Sequence, residues 1–269
     1  MSVVSAATVV RGSRRTQVKW AVSDAAAMTW RNLLKYVRLP QLLVFSTVQP
    51  VMFVLLFTYV FGGAIGGVQG KYIDYLLPGI FIQATIFGSA QTGVGLADDL
   101  SRGMIDRFRS LPMARSAVLA GRTLSDTCRN VFVVLLMTGV GTLIGFRFHV
   151  GFFASIAAMG IAVLFGLTFS WISALIGMSV RDPEVAQSAG FIWIFPLIFA
   201  SSAFVPLQSM PGWLQSFARV NPITYTVDAI RALSVGGSTF SPFWHSLAWM
   251  GGLLAVFIPL SVARYRRVT

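Results

Sequence analysis

LLPGIFIQATIFGSAQTGVGLA, residues 76–97, contains no charged residue and ends against two aspartates, Asp98 and Asp99. A bilayer core is crossed by about 20 mostly apolar helical residues, so this stretch has the length of a membrane span. Five other charge-limited intervals are similar, at about 42–62, 130–146, 152–178, 187–206 and 243–263. The chain has 269 residues, of which 55% are hydrophobic and 11% charged, and one soluble core cannot enclose that much apolar surface. The sequence therefore predicts an all-α polytopic membrane protein with six transmembrane helices. A basic tail over 1–19 precedes a single transmembrane domain over 20–269. Pro50 is expected to kink the first span. The third is short enough to need Arg129 snorkelling toward its cytoplasmic end.

The net charge of +12 would suggest nucleic acid in a soluble domain. Here the cations lie between apolar runs instead of forming one patch, which argues against a nucleic-acid partner. Their distribution sets the orientation instead. Seventeen of the 21 Lys and Arg residues fall on one side, in the N-terminus, the loop after the second span, the turn after the fourth and the C-terminus. Lys71, Arg147, Arg219 and Arg231 fall on the other. Both termini are thus expected in the cytoplasm. The opening MSVVSAATVV has its charges after the apolar piece, the wrong order for a secretory signal, so no cleavage is expected. Residues 20–38 place Trp30, Leu33, Leu34 and Val37 on one helical face and Arg31, Asn32, Lys35 and Arg38 on the other, behind a possible cap at Ser23 and Asp24. This pattern predicts an interfacial helix along the inner leaflet, in contact with anionic lipid. Cys128 is the single cysteine and reads as a small residue near a helix end; it allows no internal disulfide.

The loop DDLSRGMIDRFRSLPMARSAVLAGRTLSD, 98–126, begins with Asp98 or Asp99 as a helix cap. Leu100, Met104, Phe108 and Leu111 follow at helical spacing, Arg102, Asp106 and Arg109 lie opposite, and Pro112 stops the helix. A helix this short is marginal alone and needs a surface to dock on. The candidates are lipid and a protein groove, and the mixed charges fit a groove better.

GMIDRFRSLPMARSAVLAGR (103–122) together with NPITYTVDAIRAL (221–233) resembles the membrane subunits of ABC-2-type transporters, specifically permeases of the daunorubicin/doxorubicin-resistance type. The resemblance extends over nearly the whole chain. It departs at Leu100-Ser101-Arg102, where many relatives carry a Glu-rich turn. It implies an exporter subunit of the cell membrane that moves hydrophobic drugs or lipids, is no enzyme itself, and is driven by a separate nucleotide-binding ATPase in which ATP and Mg reside. Independently, a phosphate-binding loop needs G-x-x-x-x-G-K-[ST]. The three lysines are Lys19, Lys35 and Lys71, and none sits in that pattern. No cofactor is therefore expected on this chain. The resemblance further assigns the ATPase-coupling role to the helix carrying Leu100, Arg102, Met104, Asp106, Arg107, Phe108 and Arg109. A second contact is expected at the turn Arg181, Asp182 and Glu184.

The second span is polar for a lipid-facing helix, with Gln83, Ser89, Gln91 and Thr92, so that face is expected to look at protein or a cavity. On the fifth span Phe191, Phe195 and Phe199 form an aromatic stripe, which alone fits core or lipid contact as well. The resemblance makes Gln83, Phe87, Gln91, Phe191, Phe195 and Phe199 the expected substrate path. Gly141 with Gly145, and Ser173 with Gly177, are spaced for close helix packing. Six spans offer little wall for a bulky amphiphile, so a second permease subunit, identical or related, is expected. Residues 207–235 predict an outer re-entrant hairpin, with Asn221 as cap, Pro222 in the first turn, and Asp228 and Arg231 paired toward water or the outer cavity rim. With Tyr225 these are the expected outer gate; a lid that only packs subunits together is the rival reading. An ion-driven secondary transporter is the alternative, but it would place an ionisable residue near the bilayer midplane, whereas every Asp and Glu reads as lying in a loop, at an interface or in the outer hairpin, and no inverted repeat is apparent. His149 and His245 would be the bases of an intramembrane enzyme, yet neither has a partner at a catalytic spacing.

Overall fold

The computed structural model describes residues 14–38, 40–62, 71–104 and 115–268, and these are helical with short connections. The helices are α1 (Arg14–Arg38), α2 (Pro40–Leu56) continued by a π-helical turn (Phe57–Phe61), α3 (Tyr72–Ser101), α4 (Arg115–Ile144), α5 (Phe152–Val180) and α6 (Pro183–Phe199). After a 3-10 turn at Leu207–Ser209 come α7 (Gly212–Val220), α8 (Pro222–Ser234) and α9 (Phe240–Val268). Four stretches, Tyr72–Ser101, Ala117–Ile144, Phe152–Val180 and Phe240–Arg267, are long and apolar enough to cross a membrane. The other two expected spans correspond to shorter apolar helices, Ser46–Val60 and Pro183–Phe199.

At the centre stands α3, with 78% of its most apolar stretch buried against 17% for α9. It packs most extensively on α5, and small residues let the two backbones touch. A Cβ on Gly177 would overlap the Gly93 carbonyl, and one on Gly93 would reach the carbonyl of Ser173. Such contact without an intervening side chain is how small residues bring membrane helices together. The main core gathers α3, α4, α5, α6 and α8 around Leu76, Phe81, Phe165 and Phe169. A smaller cluster of Met28, Leu96, Leu119, Met178 and Tyr265 ties α1, α3, α4, α5 and α9 together at one end of the bundle.

Several sequence expectations change. Ser23 and Asp24 are not at the start of a helix, because α1 already begins at Arg14. On α1, Asn32 is buried and Trp30 and Val37 are exposed; the helix lays Met28 over Gly121 of α4. The third span is the distal part of a much longer helix, because α4 starts at Arg115. Cys128 is consequently mid-helix and exposed. Arg129 does not snorkel: it is 4% exposed and faces the interior. Gly145 is not a packing residue of α4; with φ of 120° it lies just past the helix end, where a side chain would be strained. The fifth span stops at Phe199, and residues 200–206 form an irregular turn.

Asp98 and Asp99 do not start a new helix. They occupy the last turn of α3, where Asp98 pairs with Arg102 at 2.8 Å, and Gly103 ends the helix in the left-handed region with φ of 64°. The rest of the expected coupling segment, 105–114, lies outside the described residues.

Candidate functional site

Gln83, Phe87 and Gln91 recur on α3 at four-residue spacing, one face of a helix. Phe191 of α6 meets this face, with its ring edge-on to Phe87 at 5.7 Å. These four residues line one cavity of about 360 Å³, closed by Tyr36 of α1, by Gln49 and Pro50 of α2, and by Arg122, Arg129 and Asn130 of α4. Its depth follows from the helices. Gln91 is about 15 Å from the Ser101 end of α3 and Gln83 about 27 Å, at 1.5 Å per residue. The cavity therefore runs from mid-helix toward the end that carries Gly103.

Phe195 and Phe199 do not line the cavity. Phe195 packs on Phe87 at 5.4 Å and stacks on Phe199 at 5.8 Å. From there the rings continue through Phe204 at 5.4 Å to Phe57 at 4.9 Å and Phe53 at 5.6 Å. The result is an aromatic column from the cavity to the turn at 200–206. Phe53, Phe57 and Phe204 were not identifiable as part of it from sequence, because the column joins three separate segments.

The polar wall was missed as well. Arg122 and Arg129 read as loop cations at the edge of a span, but both lie on α4 and point at α3. Glycines on α3 make the room: a Cβ on Gly95 would overlap the Arg122 guanidinium, and one on Gly88 would collide with that of Arg129. Arg122 lies 3.8 Å from Asp99 and 3.7 Å from Asp126. The Asp126 carboxylate also accepts hydrogen bonds from the Thr92 hydroxyl and, at 3.0 Å, from the Tyr36 hydroxyl. Burial, reinforced by the neighbouring Asp126 charge, pushes the Tyr36 phenol up to about 12, so at neutral pH it remains the donor.

At the opposite end, α8 is clamped to the bundle. Asn221 caps it by accepting from the Ile223 N–H at 2.9 Å, and its amide donates to the Leu197 carbonyl at 2.7 Å and the Ala200 carbonyl at 2.8 Å. Pro222 fills the first helical position. Asp228 and Arg231 pair at 2.7 Å, as the sequence suggested; the Asp228 side chain stays partly open to solvent while Arg231 turns inward. Arg231 donates to the carbonyls of Ser202 at 3.0 Å and Tyr75 at 3.1 Å, and its guanidinium lies 3.7 Å over the Tyr75 ring. Asp228 accepts from the Ser202 hydroxyl at 2.8 Å. The inward turn has a physical reason, since the irregular 200–206 backbone has carbonyls that need donors. Tyr225 stands apart from this network, stacked on His245 at 5.0 Å. His149 is anchored through its backbone N–H to the Ser234 carbonyl.

Of the expected coupling residues, Leu100 packs against the small end cluster, Arg102 is exposed beside Asp98, and Met104 is half-buried. Asp106, Arg107, Phe108 and Arg109 lie outside the described residues. Arg181, Asp182 and Glu184 form the exposed turn between α5 and α6. There Asp182 caps α6 by accepting from the Glu184 and Val185 N–H groups at 2.9 and 3.0 Å. Arg181 adopts a left-handed φ of 59°.

Residues 24–234 match the family described as ABC-2 type transporter. The chain is 36% identical over 259 residues to a daunorubicin resistance ABC transporter permease protein of Streptomyces coeruleorubidus, covering 96% of this chain and 92% of the relative. It is 28% identical over 250 residues to a probable doxorubicin resistance ABC transporter permease protein of Mycobacterium tuberculosis, at 92% and 90% coverage. A putative transport permease of Cyanophora paradoxa is 24% identical over 216 residues, at 79% and 74% coverage. With its apolar membrane-length helices and this near-complete alignment, the chain belongs to the ABC-2 type transporter family, as a multi-pass permease subunit of the cell membrane.

Proposed function

We propose that this permease exports hydrophobic amphiphiles, drugs or lipids, from the inner leaflet or cytoplasm, and that a separate ATP-binding subunit, which holds ATP and Mg, supplies the energy. The observation that carries this reading is the cavity between α1, α2, α3, α4 and α6, continued by the aromatic column toward the 200–206 turn. A pocket with a polar wall and a run of rings beyond it suits a molecule with a polar head and an apolar body. The relatives named for daunorubicin and doxorubicin resistance support an amphiphilic cargo and leave the charge of its head open.

In this proposal six segments cross the membrane, with Ser46–Val60 and Pro183–Phe199 completing the count, and both termini are cytoplasmic. Helix α1 lies at the inner interface and meets lipid through Trp30 and Val37. The segment following Gly103, with Met104 and Phe108 as its apolar knobs, docks in a groove of the ATPase beside the Arg181–Glu184 turn. A second permease subunit completes the path, and the hairpin of α7 and α8 closes its outer end.

The test is reconstitution of the chain with its ATPase in proteoliposomes loaded with a fluorescent hydrophobic amphiphile. ATP-dependent movement that survives collapse of proton and sodium gradients is the expected result. Movement abolished by gradient collapse with ATP present would instead select an ion-driven transporter.

A further inference from the structure

The four charges along the cavity wall do not balance locally. Both carboxylates, Asp99 and Asp126, serve Arg122. Arg129, about 10 Å further along α4 at 1.5 Å per residue, has no carboxylate within ion-pair distance among the described residues. One of its nitrogens, Nη2, donates to the Asn130 side chain at 3.2 Å, while its buried Nε has no hydrogen-bond partner. The Asn130 amide nitrogen and the Gln83 side-chain oxygen are buried and unpartnered in the same wall. A guanidinium that is 4% exposed with an idle N–H is costly at membrane depth unless something completes its shell. Its position is also built, since Gly88 on the facing helix leaves the space the guanidinium occupies.

We infer that Arg129 is the headgroup receptor of the cavity and that it selects anionic, phosphate-bearing amphiphiles over zwitterionic ones, so that the cargo it receives is a lipid and not a cationic drug of the kind the relatives are named for. The inference rests on the cavity being the cargo path. Arginine suits this task because its planar donors match phosphate oxygens and its charge does not titrate. Arg122 is unsuited, since its charge is already compensated. The tail of such a ligand meets Phe87, Phe191, Pro50 and Val133 on the apolar side of the same cavity. A cationic amphiphile would instead bring like charge to Arg129 in a medium that screens it weakly.

The test uses the nucleotide-free complex of permease and ATPase in detergent, titrated with a fluorescent short-chain phosphatidylglycerol and with phosphatidylcholine bearing the same chains. Phosphatidylglycerol should bind roughly tenfold tighter or more, because phosphatidylcholine presents the same phosphodiester but brings a choline cation to Arg129 in a weakly screening medium. Arg129→Gln should erase that preference and Arg129→Lys should keep part of it. Inorganic phosphate should compete only at far higher concentration than the lipid; competition at equal concentration would make this a site for free phosphate and overturn the inference. Equal binding of the two lipids by the unaltered complex, or a preference that survives Arg129→Gln, would overturn it too. Should Arg129→Gln fail to assemble, Gly88→Ala is the second variant, because it displaces the guanidinium without removing it and should likewise weaken the preference. ATP-driven transport by the unaltered complex separates the two ideas. If transport is intact without anion preference, this inference alone fails; if no amphiphile moves, the path reading fails.

Discussion

Asn221 performs three tasks with one side chain that is 2% exposed: it caps α8 and donates to two carbonyls at the end of α6. Replacing it with Ala removes a cap and leaves two buried carbonyls without donors, which should cost about 3 kcal/mol. Asn221→Asp keeps the cap but sets a buried carboxylate oxygen against both carbonyls, so thermal unfolding in detergent should place it no higher than Asn221→Ala. Arg181 offers a different contrast. Its left-handed φ of 59° favours glycine, so Arg181→Gly should raise stability by about 1 kcal/mol. If Arg181 also contacts the ATPase, the same variant should lower cargo-stimulated ATP hydrolysis while melting at a higher temperature. Stability and turnover moving in opposite directions is a result that a purely solvated turn would not give. The Asn-Pro cap was legible in the sequence because its signal is local. The inward reach of Arg231 was not, because the carbonyls it serves belong to residues 75 and 202.

Among the elements, α3 and α5 carry the architecture through backbone contact at Gly93 and Gly177. Gly177→Ala should cost about 3 kcal/mol, the upper range for overpacking a tight contact. Gly160, on the same helix, has open space around its missing side chain. Gly160→Ala should therefore be neutral or stabilising by up to about 1 kcal/mol. Thermal unfolding of both variants side by side checks this pair, and equal losses would mean that glycine content, and not the α3–α5 approach, sets stability. Helix α4 shows where a sequence reading stops. Its apolar half, 130–144, is visible as a span, whereas residues 115–129 carry Arg122, Asp126 and Arg129 and look like loop. They are helical because those charges find partners or space on α1 and α3, including the hydroxyls of Tyr36 and Thr92 and the notches at Gly88 and Gly95. That match between arginines on one helix and glycines on another is tertiary, and one strand of text does not display it. The helix cap expected at 98–99 failed for the converse reason: Asp98 and Asp99 are good caps in isolation, but α3 has enough packing to run through them to Ser101.

For the whole molecule, composition alone decided the class, and the apolar intervals marked where the helices lie, with the largest misses at the start of α4, where buried charges intervene, and at the end of α6, where the chain turns irregular after Phe199. What the bundle contains is a polar-walled cavity, an aromatic column leading away from it and a helix, α8, clamped at the far end. What the sequence lacks is the lysine pattern of a phosphate-binding loop, so the movement of cargo is proposed to depend on force delivered through the segment after Gly103. The most direct test is the double variant Met104→Ala with Phe108→Ala, co-purified with the ATPase subunit and reconstituted in proteoliposomes. The expected result is a folded permease that no longer retains the ATPase and shows ATP-driven amphiphile transport reduced by about tenfold or more, as loss of two apolar side chains from the proposed interface implies. Full retention of the ATPase together with undiminished ATP-driven transport would contradict it.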